Sequence, residues 1–175
     1  ISFARSFRYP VMDELFNFLT NTIDTTLTPQ TSDNYEFGIR HNFSPTLYAK
    51  VNFFRIDTKN ELFFNPTAFA NENYDGKTRR DGVEFSLTKA FEKITLSGNY
   101  TYTDATYTDG QFKNNDVPNV PNHKAALSGL FILGKGFSLT VDGIYVGERP
   151  FISDFSNEFE DQEDYLIVNT KLKYQ

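Results

Sequence analysis

An acidic stretch near the end of the chain holds the residues with the most obvious capacity for chemistry. It contains Asp154, Glu158, Glu160, Asp161 and Glu163. Carboxylate oxygens bind Ca²⁺ when several of them converge, and Asp154, Glu158 and Asp161 are the candidate ligands. Their spacing does not match an EF-hand loop, so a solvated acidic loop is the favoured interpretation and no metal site is firmly predicted.

Two histidines, His41 and His123, are the next candidates, and the chain has no cysteine. A catalytic histidine needs a nucleophile or a carboxylate within hydrogen-bonding reach. His41 stands among the apolar positions of an alternating segment, and His123 stands where a loop enters another. The sequence pairs neither with a nucleophile, so we predict structural or interfacial roles, no enzymatic activity and no cofactor.

The composition narrows the classes of protein to consider. The net charge is −6 and no basic stripe is present, which argues against nucleic acid as a partner. Aromatic residues make up 17% of the chain, all of them Phe or Tyr, and they are spread singly between polar residues. No apolar run approaches the ~20 residues that a membrane-spanning helix requires. These features favour strands throughout a single domain, residues 1–175.

The segment 82–105 shows most clearly which kind of secondary structure positions the candidate residues. Apolar and polar residues alternate on both sides of a three-residue connection at 91–93, beginning with Val83, Phe85 and Leu87. A period of two places all the apolar side chains on one face of a strand. The segment is therefore predicted to form a long antiparallel hairpin with one apolar and one polar face.

The same period recurs along the chain and predicts eight strands. They lie at 1–8, 31–43, 47–64, 78–90, 94–106, 123–133, 137–149 and 164–174. The connections between them are alternately long and short: the short ones are 44–46, 91–93 and 134–136, and the long ones are 9–30, 65–77, 107–122 and 150–163. A soluble sandwich has no reason for such alternation. Outer-membrane barrels have it, with short periplasmic turns and long extracellular loops.

We therefore predict an all-β fold, an antiparallel up-and-down transmembrane β-barrel whose apolar face contacts outer-membrane lipid. A tilted transmembrane strand needs ~9–11 residues, which the predicted strands supply. A soluble β-sandwich or lipocalin-like barrel would bury the same face inward and is the alternative. Phe and Tyr at the strand ends are typical of interfacial girdles and favour the membrane. The polar face also favours it, because it is rich in charged and amide side chains suited to a filled lumen.

Several segments resemble, in order, the later barrel strands of TonB-dependent outer-membrane receptors. They are SFRYP at 6–10, DELF at 13–16, LTPQTSDNYEFGIR at 27–40, NY at 73–74, TR at 78–79, GVE at 82–84, NYTYTDA at 99–105 and VPNVPNHK at 117–124. The likeness covers nearly the whole chain, and the ordered series is more specific than any single segment. Gln30 and Asn122 depart from it, at positions where Glu and Arg are more usual.

The resemblance implies a barrel of about 22 strands that encloses an N-terminal plug. Such receptors lie in the outer membrane of Gram-negative bacteria and import scarce ligands such as ferric siderophores, haem or cobalamin, using energy that the TonB complex delivers through the plug. This chain would supply the eight strands just before the last two and would lack the plug and the closing strands. A self-contained eight-stranded barrel with a structural or adhesive role is the alternative.

The resemblance also implies roles for two groups of residues. Charged and amide side chains in the lumen would hold the plug by hydrogen bonds and ion pairs: Arg5, Arg8, Glu36, Arg40, Glu84, Asn99 and Lys124. Aromatic residues of the long loops would line the extracellular mouth, where they either stack on a planar ligand or pack the loops together: Phe16, Phe18, Phe69, Tyr107, Phe112, Phe155 and Phe159.

Overall fold

One antiparallel sheet of eight strands dominates the fold. The computed structural model describes residues 1–17, 20–66 and 68–175. In chain order its elements are β1 (Ser2–Arg8), α1 (Met12–Leu15), β2 (Phe16–Asn17), β3 (Thr22–Ile23), β4 (Gln30–Ser44), β5 (Leu47–Lys59), β6 (Leu62–Asn65), β7 (Ala70–Asn73), β8 (Lys77–Ala90), β9 (Ile94–Tyr107), β10 (His123–Gly134), β11 (Phe137–Val146) and β12 (Tyr165–Tyr174). Within these ranges, no helix is both long enough and apolar enough to cross a membrane.

The main strands pair in the order β1-β4-β5-β8-β9-β10-β11-β12, so each lies beside the main strand that precedes it in the chain. This up-and-down arrangement confirms the predicted fold class. β1 pairs with β4 alone and β12 with β11 alone, which leaves the sheet open at both edges. The alternative of a self-contained eight-stranded barrel is wrong, because it requires β1 to pair with β12. Hydrocarbon cannot satisfy the free backbone groups of an edge strand, so a membrane wall of this kind needs further strands beside both edges.

Short and long connections alternate along the sheet. The four long ones are loop 1 (9–29), loop 2 (60–76), loop 3 (108–122) and loop 4 (147–164). A two-residue turn joins β10 to β11, and φ is +86° at Gly134, +51° at Lys135 and +83° at Gly136. Glycine adopts positive φ without a Cβ clash, which explains why it occupies two of these three positions. All four loops lie at one end of the sheet because the strands are antiparallel.

Two predicted strands differ from the structure by more than one residue at an end. The strand predicted over 47–64 ends at Lys59, because Asn60 has a φ of +55° and leaves the extended conformation. The chain then forms a separate hairpin inside loop 2, in which β6 pairs with β7. The strand predicted over 137–149 ends at Val146, and the next N–H, of Gly147, donates to the carbonyl of His123 at 2.8 Å.

The two faces of the sheet have opposite character. Val51, Phe85 and Tyr100 are direct neighbours across β5, β8 and β9 and share the apolar face. Large apolar side chains on this face remain exposed, with Phe53 at 51% and Leu127 at 70%. A soluble sandwich or lipocalin-like barrel would enclose these side chains, so the structure does not support that alternative. The apolar face is the one suited to lipid.

Three ion pairs lie on the apolar-face side of the sheet, toward its loop end and beyond most of the aromatic residues of that face. They are Arg5–Asp33 at 2.6 Å, Arg55–Asp81 at 2.6 Å and Arg79–Asp57 at 2.7 Å. Each joins residues directly opposite one another on neighbouring strands. We call them the outer charge belt. Because charge is expensive in hydrocarbon, the belt marks the height at which the lipid-facing band ends.

Candidate functional site

Loops 2, 3 and 4 enclose a small core on the polar face of the sheet. Its buried members are Tyr74, Ala105, Tyr107 and Val117, and Phe63, Phe112, Val120 and Phe155 pack against them. We call these residues the loop core. The register places Thr78 and Tyr107 opposite each other on the polar face, where both are buried. The long loops therefore close over the polar face, as expected if that face lines a lumen.

Ring contacts and hydrogen bonds hold the three loops together. The rings of Tyr74 and Phe112 stack with centroids 5.7 Å apart. The Tyr74 hydroxyl donates to the carbonyl of Asp109 at 2.7 Å and accepts from the Phe112 N–H at 3.0 Å. The Asn157 side chain accepts from the Asp116 N–H at 2.6 Å and donates to the Asp116 carbonyl at 3.2 Å. Loops 2, 3 and 4 thus form one packed unit.

Loop 1 is joined to loop 2 by side-chain amides. The Asn73 amide accepts from the Thr28 N–H at 2.7 Å and donates to the Thr28 carbonyl at 2.9 Å and to the Asn60 carbonyl at 2.8 Å. The Asn71 amide donates to the carbonyl of Glu14 at 3.2 Å. These bonds extend the connected set to all four long loops.

A cavity of about 670 Å³ opens between loops 2, 3 and 4. Its lining combines aromatic rings with carboxylates and includes Phe63, Tyr74, Phe112, Phe155, Phe159, Glu72, Asp75, Asp154 and Glu158. Small-molecule sites usually have volumes of ~300–1,000 Å³ and apolar walls with a few polar groups. The cavity is therefore of the size and chemistry that can receive a small molecule at the loop end of the sheet.

Three of the predicted mouth aromatics, Tyr107, Phe112 and Phe155, belong to the loop core. Of the two roles left open for the aromatics, these three pack the loops together, and Phe112 and Phe155 also line the cavity. Phe159 lines it too and is 70% exposed, which leaves its ring accessible for stacking.

Two of the remaining predicted aromatics, Phe16 and Phe69, lie apart from the cavity lining. Phe69 is exposed and packs edge-on against Phe64, with ring centroids 5.7 Å apart. Phe16 lies in β2 within loop 1, and Phe18 falls outside the described residues. The sequence analysis missed Tyr74, which touches three other rings of the loop core. The signals for it were its place in the resembling segment at 73–74 and its position as an aromatic residue in an Asn-rich loop.

The calcium alternative is not supported by the structure. Asp154 is buried, and its carboxylate accepts from the N–H groups of Glu158 at 3.0 Å and Phe159 at 3.1 Å. Throughout residues 1–17, 20–66 and 68–175, no three acidic or histidine side chains are grouped so that they could hold a metal ion. Asp154 therefore organises the backbone of loop 4, and Glu158 and Asp161 do not converge with it.

Two titratable side chains of the mouth, Asp116 and Tyr107, have raised pKa values. The pKa of Asp116 is raised above its ordinary value, first by burial and then by the negative charges of Asp104 and Asp161. The pKa of the Tyr107 phenol is also raised, by burial first and then by Glu61. Desolvation is the main cause of both shifts, and neighbouring carboxylates add to it.

Most of the predicted lumen residues share the polar face. Glu36, Arg40, Glu84, Asn99 and Lys124 all lie there in the strand register. Glu84 accepts from the Asn52 amide at 3.4 Å, and the Arg40 guanidinium lies 5.1 Å from the centre of the Tyr48 ring. Arg8 shares this face but pairs with Glu14 at 2.8 Å, at the loop end.

Arg5 is the exception, and its predicted lumen position is wrong. It lies opposite Asp33 in the outer charge belt and shares a face with Phe3 and Phe7. The period of two dictates this, because odd-numbered residues of β1 all point the same way. The strand continues beyond the apolar band, so a charged residue can occupy the outer face without entering lipid.

The end of the lumen wall away from the loops is more basic than predicted. Lys50 lies directly opposite Arg40, and Lys171 and Lys173 occupy the same face of β12. None of these four forms an ion pair with another residue of the described chain. Like charges placed opposite each other repel, so this region is suited to an acidic partner surface.

Both histidines lie on the apolar face. The ring of His41 meets Phe43 edge-on with centroids 4.5 Å apart. A ring nitrogen of His123, Nδ1, is hydrogen-bonded to the Tyr100 hydroxyl at 2.8 Å. These aromatic contacts suit side chains at the boundaries of the apolar band.

Comparison with known proteins identifies the family. A family model described as TonB dependent receptor-like, beta-barrel, matches residues 1–175. The chain is 29% identical over 154 residues to the ferrichrome outer membrane transporter/phage receptor of Escherichia coli (strain K12), a match that covers 83% of this chain and 20% of that protein.

Solved structures agree on the fold. The ferric yersiniabactin uptake receptor FyuA from Yersinia pestis matches 99% of this chain and 26% of its own, with a TM-score of 0.75 and 20% identity. The ferric-catecholate import receptor Fiu from E. coli K12 matches 89% of this chain and 22% of its own, with a TM-score of 0.64 and 25% identity. The chain thus spans between 20% and 26% of the length of these relatives. It belongs to the family of TonB-dependent receptor β-barrels and is an outer-membrane chain of a Gram-negative bacterium.

Proposed function

We propose that this chain forms part of the wall and mouth of an outer-membrane receptor that imports a ferric siderophore in a TonB-dependent manner. The observation that supports this best is the closure of loops 2, 3 and 4 over the polar face, with a cavity of about 670 Å³ between them. The relatives are transporters and receptors for ferric complexes, and no enzymatic role is proposed. Among the ligands first considered, a ferric siderophore therefore fits better than haem or cobalamin.

In this proposal the two faces and the two ends of the sheet have separate tasks. The apolar face contacts lipid, and the open edges at β1 and β12 join the remaining strands of a larger barrel. The mouth formed by the loops receives the ligand from outside. The lumen wall contacts the plug, on which TonB acts, and the unpaired Arg40 and Lys50 offer it positive charge.

The experiment is iron uptake by whole cells. The full-length receptor is expressed in a Gram-negative host that lacks its own ferric-siderophore receptors, and uptake of iron-55 is measured with a panel of siderophores. We expect accumulation with at least one siderophore, and loss of that accumulation when tonB is deleted. Uptake equal to that of empty-vector cells for every siderophore, or uptake that persists without TonB, would refute the proposal.

A further inference from the structure

Charge is sharply divided between the loops and the rest of the chain. The four long loops contain fifteen acidic and two basic side chains, whereas the strands and short turns contain eight acidic and fifteen basic ones. The net charge of −6 therefore conceals a strongly negative loop end and a positive barrel wall. A field of one sign over a mouth attracts or repels charged ligands before they touch it.

Part of this negative charge lies in the lining of the cavity between loops 2, 3 and 4. Glu72, Asp75, Asp154 and Glu158 line it, and no lysine, arginine or histidine does so among the described residues. Glu72 accepts from the Asn65 amide at 3.0 Å, but none of the four carboxylates forms an ion pair with a described residue. No direct ion pair within the described part of the chain therefore offsets the negative charge at the cavity.

The pKa of Asp116, another acidic residue of the mouth, is also raised in part by neighbouring negative charge. Asp116 lies in loop 3 and does not line the cavity, yet Asp161 of loop 4 contributes to raising its pKa, after burial and Asp104. The aromatic rings beside the carboxylates supply flat apolar surface, so the cavity offers stacking without positive charge. An anionic ligand would meet repulsion and would lack a counter-ion.

Ferric chelates differ in charge in a way that this cavity would distinguish. Hydroxamate groups, which each have a single negative charge, can balance the charge of Fe³⁺ and give a neutral chelate. Catecholate groups, which each have two, leave a strongly anionic chelate. We propose that the mouth of this receptor selects neutral or cationic ferric chelates of the hydroxamate type and repels anionic ones. This inference rests on the proposed function and names the ligand class of the same site.

The test compares two probes of similar size on the purified full-length receptor in detergent. Equilibrium binding of a neutral iron-55 tris-hydroxamate and of an anionic iron-55 tris-catecholate is measured at low and at physiological salt. We expect the hydroxamate to bind at least tenfold more tightly, and the difference to shrink as salt screens the field. The double variant Glu72→Gln, Glu158→Gln should gain several-fold in catecholate affinity with little change for the hydroxamate. Glu163→Gln, an exposed change in loop 4 outside the cavity lining, is the matched control.

The outcomes separate the two proposals. Catecholate binding that equals or exceeds hydroxamate binding overturns the charge selection and leaves siderophore import intact. The same holds if the double variant changes catecholate affinity no more than the control does. If the receptor neither binds nor imports any ferric chelate, the proposed function itself fails.

Discussion

Replacing Tyr74 by alanine would remove the ring at the centre of the loop core. The side chain is 5% exposed, and its ring contacts Phe63, Tyr107 and Phe112. Removing a buried aromatic ring costs about 3–5 kcal/mol where the surroundings cannot collapse into the space. The variant Tyr74→Phe keeps the ring but leaves the Asp109 carbonyl and the Phe112 N–H without their partner, which costs about 1–3 kcal/mol.

Hydrogen exchange followed by mass spectrometry measures these losses of stability, because a less stable loop opens more often and its amides exchange faster. The experiment uses the full-length receptor in detergent micelles and compares peptides from loops 2, 3 and 4 with peptides from β9 and β10. A cost of about 1–3 kcal/mol corresponds to exchange that is roughly 5- to 150-fold faster in Tyr74→Phe, and Tyr74→Ala should exceed this. Because the loops form one packed unit, all three should lose protection together, while the strands keep theirs.

The matched control is Phe69→Ala, which removes an aromatic ring from the same loop at a position that is 55% exposed. It should change exchange in loop 2 only slightly. If Tyr74→Ala accelerates exchange in loop 2 but leaves loops 3 and 4 as protected as before, the loops do not move as a unit and the reasoning is wrong.

Three further predictions concern the wall, the loops and the outer face. Charge reversal in the lumen, by Arg40→Glu or Glu84→Lys, should lower siderophore uptake or release the plug to protease; unchanged transport in both variants would contradict a plug contact. Because the pKa of Asp116 is raised in the folded mouth, protonation of its carboxyl favours the folded over the open mouth, so protection of loop 3 should be greatest below the ordinary aspartate pKa. Protection should fall as the pH rises through the raised value, and Asp116→Asn should abolish that dependence. Arg55→Ala removes an ion pair whose arginine is 49% exposed, so it should lower the free energy of unfolding by less than about 1 kcal/mol in a urea titration in lipid vesicles.

Period-two alternation and loop asymmetry were sufficient to predict the sheet. Val83, Phe85 and Leu87 specify their own face locally, because each strand must present one side to lipid. The pairing of consecutive strands then follows from the short turns, because a strand that leaves a short turn can reach only the strand before it. The end of β5 could not be predicted in the same way, since a positive φ at Asn60 is set by the hairpin that follows it.

The site was less accessible to prediction because its contacts join distant parts of the chain. The ring partners of Tyr74 lie in β6, in β9 and in loop 3, and no local pattern indicates which of many loop aromatics will be buried. Arg5 is a different case: its charge suggests the lumen, but its position in the alternation places it on the outer face. Its neighbours Phe3 and Phe7 already indicated the outer face.

The outer charge belt has a mechanical consequence. Under the proposed function, a plug drawn toward the periplasm would exert drag on the wall and tend to lower it in the membrane. Sinking would drag three ion pairs into hydrocarbon, where each desolvated ion costs several kcal/mol. The outer charge belt would therefore oppose such sinking and help to fix the depth of the wall in the membrane.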